Sequence, residues 1–245
     1  MQLDGRNAIV TGASSGIGAA IVRALRDEGA RVAGGARRTD KVDADVALAL
    51  DVTDAASCER FVSAAAEHLG GVDVLVNNAG LALGRDPFDD SSESDEEAVL
   101  ETNVHGLIRM TRLVLPHLRD GGHIVNMGSV AGMWAYPNGA LYVTSKFAVH
   151  GFTRALREDL LGRPIRITNV APGLVETGFS KVRFRGDEEK AAAVYENVAL
   201  GGPVRPEDVA DCVVFALTRP PNVNVDELVV TALAQSSGAR ILREK

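Results

Sequence analysis

Tyr142-Val143-Thr144-Ser145-Lys146 sets a phenol and an amine four positions apart, and Ser129 adds a hydroxyl thirteen residues before the phenol. In a helix, positions i and i+4 share a face, so the Lys146 ammonium can hold charge beside the Tyr142 oxygen. A free tyrosine titrates near about 10 and is a poor acid–base at neutral pH, and a fixed cation next to it lowers that value. The chain has three Tyr and five Lys, so the pairing does not come from abundance. The chemistry it suits is proton transfer.

Those residues need a scaffold that brings them to one place. Short apolar runs alternate with longer amphipathic stretches, the pattern of βαβ units around a parallel sheet. The sequence predicts strands near 7–11, 31–36, 46–50, 72–76, 122–128, 165–171 and 227–231, and helices near 16–28, 55–69, 96–118, 141–161 and 206–217. No repeat and no Pro-, Ser- or Gly-rich linker divides the chain. The expectation is one α/β domain over 1–245, a doubly wound Rossmann-type fold whose seven-stranded parallel sheet carries helices on both faces. Between the second and third strands, Arg37 to Val46 leaves room for barely a turn or two of helix, so that crossover must be tightly drawn. The stretch 179–202 breaks the alternation and holds a helix-like segment at 188–198. Lying after the sixth strand, it is expected to cover the carboxyl edge of the sheet as a substrate lid.

Ala8-Ile9-Val10 feeds into Thr11-Gly12-Ala13-Ser14-Ser15-Gly16-Ile17-Gly18, and an amphipathic helix follows. At a strand-to-helix turn, Gly12 permits a tight turn, Gly16 a close backbone approach and Gly18 close helix packing. The free amides of the helix start, along Ser14, Ser15 and Ile17, then face a pyrophosphate. An ordinary Gly-rich turn would carry the same glycines; the Tyr142/Lys146 pair downstream favours the phosphate reading. Folds of this kind that take NAD place an acid about twenty residues beyond the glycines. Here that place holds Ala36-Arg37-Arg38, with no acid before Asp40. A guanidinium matches a 2′-phosphate, and a second can lie over the adenine, so the cofactor expected is NADP(H).

Composition removes several alternatives. A net charge of −7 argues against a nucleic-acid partner and supplies no basic membrane anchor. No run approaches membrane-spanning length, and Met1-Gln2-Leu3-Asp4-Gly5-Arg6 lacks an apolar signal region, so a cytoplasmic protein is expected. Cys58 and Cys212 are far apart without metal-ligand spacing. The five histidines, at 68, 105, 117, 123 and 150, do not cluster either, so no metal is expected. The acidic run from Asp89 to Glu97 reads as a loop leading into a helix N-terminus, where carboxylates suit the dipole.

With these residues in view, the chain resembles the short-chain dehydrogenase/reductase family. Thr11 to Gly18 match its glycine motif, and Asn77-Asn78-Ala79-Gly80 its motif after the fourth strand. Asp51-Val52 match its adenine-side pair, and Pro172-Gly173-Leu174-Val175-Glu176-Thr177 its nicotinamide-side turn. Asn103, Ser129, Tyr142 and Lys146 match its catalytic tetrad in order and spacing. Leu81 to Gly84, Phe179 to Asp187, Pro206 to Val209 and Val223-Asn224-Val225 further resemble the NADP-dependent branch acting on serine and related 3-hydroxy acids. Glu96 departs from that branch's usual Trp, and Ala232 from its usual Pro.

The resemblance implies an oxidoreductase that interconverts an alcohol and its carbonyl by hydride transfer. Tyr142 serves as general acid–base, and Ser129 donates to the substrate oxygen. Lys146 bonds the nicotinamide ribose, and Asn103 fixes a water that connects Lys146 to solvent. Asn78, Ala79 and Gly80 pass close to the adenine ribose, Val175 packs on the nicotinamide ring, Thr177 bonds its carboxamide, and Gly173 lets the cofactor approach. Arg183 or Arg185 is the candidate clamp for a substrate carboxylate; Trp134 and Tyr136 are candidates to line the pocket. Relatives pair the helices matching 96–118 and 141–161 across a twofold axis, which implies a homotetramer or homodimer. Two other readings stand beside this one: a reductase of bulky ketones, and a protein that senses NADP without turnover.

Overall fold

Seven apolar runs become seven strands, all parallel, in a sheet ordered β3-β2-β1-β4-β5-β6-β7; the computed structural model describes residues 3–244. The strands are β1 (Asn7–Thr11), β2 (Arg31–Ala36), β3 (Val46–Ala49), β4 (Val72–Asn77), β5 (Leu118–Met127), β6 (Arg166–Pro172) and β7 (Glu227–Val230). Side chains alternate across the sheet. Ala8 and Val10 of β1 pack beneath α1 (Gly16–Asp27) and α8 (Pro206–Leu217). Ile9 points the other way, toward α2 (Ala55–Leu69), α4 (Leu107–Val114) and α5 (Ala140–Asp159). Both faces are covered, so the strands can be apolar throughout.

The chain winds outward from β1 to β3 and then returns to begin β4 on the other side of β1. Between β1 and β4 the loops leave the carboxyl edge in opposite directions, and a crevice opens there. Local signals set the helices that frame it. Asp54 caps α2 by accepting from the Ala56 amide at 3.0 Å, and Gly70 ends it in the left-handed region at φ 73°. Ser92 caps α3 (Glu93–Leu100), whose first turn holds Glu93, Asp95 and Glu96; the acidic run leads into a helix start as expected.

Three elements differ from the sequence expectation. The helix anticipated over 96–118 begins at Glu93 and is interrupted by a π-helical turn over Glu101–Gly106 before α4. It ends in a 3₁₀ turn over Leu115–His117, where Pro116 cannot continue an α-helix. Strand β5 therefore starts at Leu118 rather than at 122, with a register irregularity opposite Val72 and Val74. In the lid stretch, a short α6 (Phe179–Arg183) precedes α7 (Glu188–Ala193), which is shorter than the 188–198 expected. Among the described residues no helix is long and apolar enough to cross a membrane.

The tight crossover is a single 3₁₀ turn at Thr39–Lys41. It lies directly on β2, and the sequence of that strand, Ala-Gly-Gly-Ala, explains how. A Cβ on Gly34 would sit 2.6 Å from Val42 Cγ1 and 3.1 Å from the Ala44 Cβ. Gly34→Ala should therefore overpack this seam and cost about 1–3 kcal/mol. The urea midpoint falls with the slope unchanged, and adding Val42→Ala recovers part of the loss.

Candidate functional site

At the crevice, Thr11 and Asn78 fasten the glycine loop to the end of β4. The Asn78 amide group donates to the carbonyls of Thr11 at 2.9 Å and Gly12 at 3.3 Å, while the Asn78 and Ala79 backbone amides donate to the Thr11 hydroxyl. Gly12 adopts φ 68° to make the turn, and a Cβ on Gly18 would lie 2.2 Å from the Gly12 carbonyl oxygen. The third glycine thus allows α1 to close on the loop itself. Ser15 stands before α1 in an extended conformation, and its side chain makes no capping bond, so the amides of Gly16 and Ile17 open the helix toward the crevice. Arg38 reaches across to the Ser14 and Ser15 hydroxyls at 3.4 and 3.3 Å. Arg37 lies on the same rim. Two guanidiniums and two hydroxyls beside a helix start fit a dinucleotide bearing an additional phosphate.

Asp51 and Val52 form the neighbouring wall. Asp51 Oδ1 accepts from the Thr53 amide and hydroxyl at 3.0 and 2.7 Å. Partial burial is the largest single influence on this carboxyl and raises its pKa, but the two Thr53 hydrogen bonds and the Arg37 charge together hold it below its ordinary value. At the opposite end, Pro172 closes β6, and Val175 forms a bridge with Val204. The Thr177 hydroxyl accepts from the Phe179 amide at 3.1 Å, which leaves its own hydrogen free to donate. Gly173 faces Gln235, whose Oε1 would lie 2.1 Å from a Cβ there. In the Asn78-Ala79-Gly80 run, a Cβ on Gly80 would lie 3.2 Å from Asn103 Oδ1 and 3.8 Å from Lys146 Nζ.

Ser129, Tyr142, Lys146 and Asn103 converge in the middle. Ser129 leaves β5 in extended backbone and caps the following turn, accepting from the Ala131 amide at 3.1 Å. Tyr142 and Lys146 project from one face of α5. Lys146 is buried, donates to the Met127 carbonyl at 2.8 Å, and holds Nζ 5.7 Å from the Tyr142 ring centroid. Asn103 uses its whole side chain. Its Oδ1 accepts from the Leu81 amide at 2.8 Å, and its Nδ2 donates to the Leu81 carbonyl at 2.8 Å and to Ser145 Oγ at 3.0 Å. Ser145 in turn donates to the Tyr142 carbonyl at 2.8 Å. A second buried run, Thr111–Asn77–Asn126–Thr153, ties α4 and α5 to β4 and β5.

Electrostatics here differ from the expectation. The phenol of Tyr142 is pushed up to about 12, first by burial and secondarily by Tyr136; the Ser129 hydrogen bond and the Arg183 charge pull the other way. Lys146 is pulled down to about 8 by burial. The expected lowering of Tyr142 by Lys146 is not what this arrangement produces. The amine lies over the ring and spends a hydrogen on Met127 rather than approaching the phenolic oxygen.

The cavity has a volume of about 1070 Å³. Beyond Tyr142, Tyr136 lines it, whereas Trp134 points outward and is 41% exposed. Arg183 donates from Nε to the Gly84 carbonyl at 3.1 Å and from Nη2 to the Tyr136 hydroxyl at 3.1 Å. Its guanidinium carbon lies 5.6 Å from the Tyr136 ring centroid and 5.7 Å from that of Tyr142. Arg185 pairs with the buried Asp95. Of the two carboxylate candidates, only Arg183 therefore stands over the phenol. Three contributors went unread in the sequence: Tyr195, which hydrogen-bonds Thr177 and Ser180; Gln235, which accepts from the Leu174 amide; and the tail around Ile241 and Arg243. One signal was available. All three tyrosines of the chain line this single cavity. Among the described residues no group of three or more His, Cys, Asp or Glu could hold a metal ion.

Residues 6–188 match the family model for short chain dehydrogenase. A Salmonella typhi protein named NADP-dependent 3-hydroxy acid dehydrogenase YdfG is 41% identical over 239 residues, covering 93% of this chain and 95% of its own. The NADP-dependent 3-hydroxy acid dehydrogenase of Schizosaccharomyces pombe is 39% identical, covering 100% and 99%. Among solved structures, the closed form of serine dehydrogenase complexed with NADP+ superposes with a TM-score of 0.89 at 38% identity, over 98% of this chain and all of that one.

The buried amine has a consequence for stability. Its pKa of about 8 lies below the 10.5 of an exposed lysine, so the unfolded chain holds the proton more tightly and the charge opposes folding below pH 8. Lys146→Met should raise the urea midpoint at pH 7, by a free energy on the order of 3 kcal/mol. That gain should fade between pH 8 and 10.5 as the wild-type amine loses its charge in both states.

Proposed function

The chain belongs to the short-chain dehydrogenase family, and from that premise we propose that it is an NADP(H)-dependent oxidoreductase interconverting an alcohol and its carbonyl, with serine and related 3-hydroxy acids as the substrate class. One observation carries the reading: the Tyr142 phenol meets Ser129 within the cavity, with the buried Lys146 amine beside its ring. The cofactor is supported by Arg37 and Arg38 on the glycine-loop rim, and by relatives that are NADP-dependent by name.

NADP(H), when bound, supplies or takes the hydride. The protein's part is the proton and the charge. Tyr142 gives its proton to the oxygen of a carbonyl undergoing reduction, or takes one from an alcohol undergoing oxidation. Ser129, with a hydroxyl that can rotate, donates to the same oxygen and stabilises charge that develops there. A phenol held near 12 is a reluctant acid, and a cation close by is what would bring it into range. Lys146 supplies that charge when its amine shifts from the Met127 carbonyl toward the ribose and phenolic oxygens. Asn103 has no side-chain hydrogen to spare, so its role in proton supply falls to its backbone carbonyl, holding a water behind Lys146.

Substrate selection falls to Arg183. Two of its nitrogens are anchored, to Gly84 and to Tyr136, and its remaining hydrogens face the phenol, a fit for a carboxylate on the carbon chain of a 3-hydroxy acid. Residues 179–202 act as the lid. That role is supported by reciprocal bonds between Arg183 and Gly84, by the Arg185–Asp95 pair, and by Tyr195 gripping the turn at Thr177. A homotetramer or homodimer is supported by exposed apolar side chains at Phe147 on α5 and at Phe215 and Val229 on the α8–β7 side. Unpaired Cys58 and Cys212 suit a cytoplasmic setting.

Tyr142→Phe should lower kcat/KM by about 10²–10⁴ while NADPH, followed by fluorescence titration, still binds. Full turnover in that variant would end the proposal. Arg183→Ala should raise KM for 3-hydroxypropionate or serine by about tenfold or more while leaving neutral ketones nearly unaffected. Replacing Arg37 and Arg38 together with Ala should narrow the preference for NADPH over NADH by about 10–100-fold, as two charge-assisted contacts allow.

A further inference from the structure

The chain carries a net charge of −7, yet its cavity is lined by eight basic side chains and one acid, Asp51, among the described residues. Such an inversion focuses a positive field into a cleft. Arg37, Arg38 and Lys146 belong to the dinucleotide end. Of the five at the other end, four have acceptors in the protein. Lys181 pairs with Glu188 and Arg185 with Asp95, Arg243 donates to the carbonyls of Val194 and Glu196, and Arg183 is anchored as described.

Arg85 is the fifth. It follows Gly84 on the loop that latches Arg183, and its guanidinium carbon lies 5.6 Å from the Tyr136 ring centroid, the same distance as that of Arg183. Tyr136 thus carries two guanidiniums, which an aromatic face can attract but which repel one another. Among the described residues Arg85 makes no hydrogen bond or ion pair, not even with the adjoining Asp86, so all five of its donors are uncommitted. Two cations held at one ring, one with every donor free and both facing the cavity, make an incomplete arrangement that a pair of anionic groups would complete.

We propose that Arg85 is a second anion-binding residue of this cleft, so that the substrate is a doubly anionic hydroxy acid with one carboxylate on Arg183 and the other on Arg85. The proposal rests on the hydroxy-acid reading above and narrows it to dicarboxylates. No bond is made or broken at Arg85; its effect is on binding.

Calorimetric titration of the full-length protein saturated with NADP+ tests this without relying on turnover, using glutarate as the dianion and butyrate as a monoanion of similar length. Glutarate is expected to bind at least about tenfold more tightly than butyrate, as one further charge-assisted contact allows. Arg85→Met should bring glutarate to the level of butyrate, leave butyrate unchanged, and so show that the fold is intact; Arg85→Lys should keep part of the difference. Arg183→Ala should weaken both. A glutarate affinity no better than that of butyrate, or one that Arg85→Met does not alter, overturns the role of Arg85 while leaving the hydroxy-acid reading standing. Failure of both acids to bind overturns the two together.

Discussion

An ammonium kept almost dry is unfavourable unless the surroundings repay its lost hydration, and Lys146 shows that constraint through a pKa drawn down to about 8. The amine stands on α5 beside Tyr142 and leans on the end of β5 through Met127. Every element around it is fixed by buried hydrogen bonds. Asn103 joins the chain after β4 to α5 through Leu81 and Ser145, and Asn77 and Asn126 lock the two central strands to the helices behind them. A buried, connected polar network rigidifies what it joins, at the cost here of one buried acceptor, Asn77 Oδ1, that finds no hydrogen-bond partner. The residues proposed to transfer the proton therefore sit on a firm body, while 179–202 and the tail, proposed to meet the substrate, reach the cavity from outside the sheet.

Much of this was legible before any coordinates. Strand and helix positions followed from alternation, and the glycine loop, Ser129, Tyr142 and Lys146 followed from residue types at fixed spacing. What remained unread has physical causes. A single π-helical turn is too short to disturb a periodicity read over a whole helix, so the break at Glu101–Gly106 left one trace, an Asn in a helical run. Arg183 and Arg185 are two positions apart, and only the backbone decides between them. Arg185 takes a left-handed φ of 53° and turns out to Asp95, while Arg183 ends α6 facing Tyr142. The tail after β7 has no periodicity at all, since it folds by isolated bridges, Gln235 with Ile241 and Val198 with Arg243.

Charge organises the cavity from both ends. An acidic protein repels anions at long range, and a basic cleft within it draws them over the last Debye length or so. The expectation that Lys146 alone would acidify Tyr142 treated the site as a pair. In the structure Ser129 and Arg183 act on the same phenol, and burial outweighs them. The phenol's acidity is thus a property of the cleft as a whole, Arg183 included, which ties the residue proposed to select substrate to the group proposed to handle the proton.

The break in the central helix also governs how that helix can change. A π-helical turn is equivalent to one residue inserted into an α-helix, and each residue advances the helical face by about 100°. The turn absorbs that residue, so α3 and α4 keep the phase of one regular helix. Removing one residue between Glu101 and Gly106 would let the helix run on regularly, with Met110 and Val114, both wholly buried, still facing the sheet. What would be lost is the placement of Asn103, inside the turn, and with it the grip on Leu81 and Ser145. The extra residue thus serves the crevice rather than the packing of the helix.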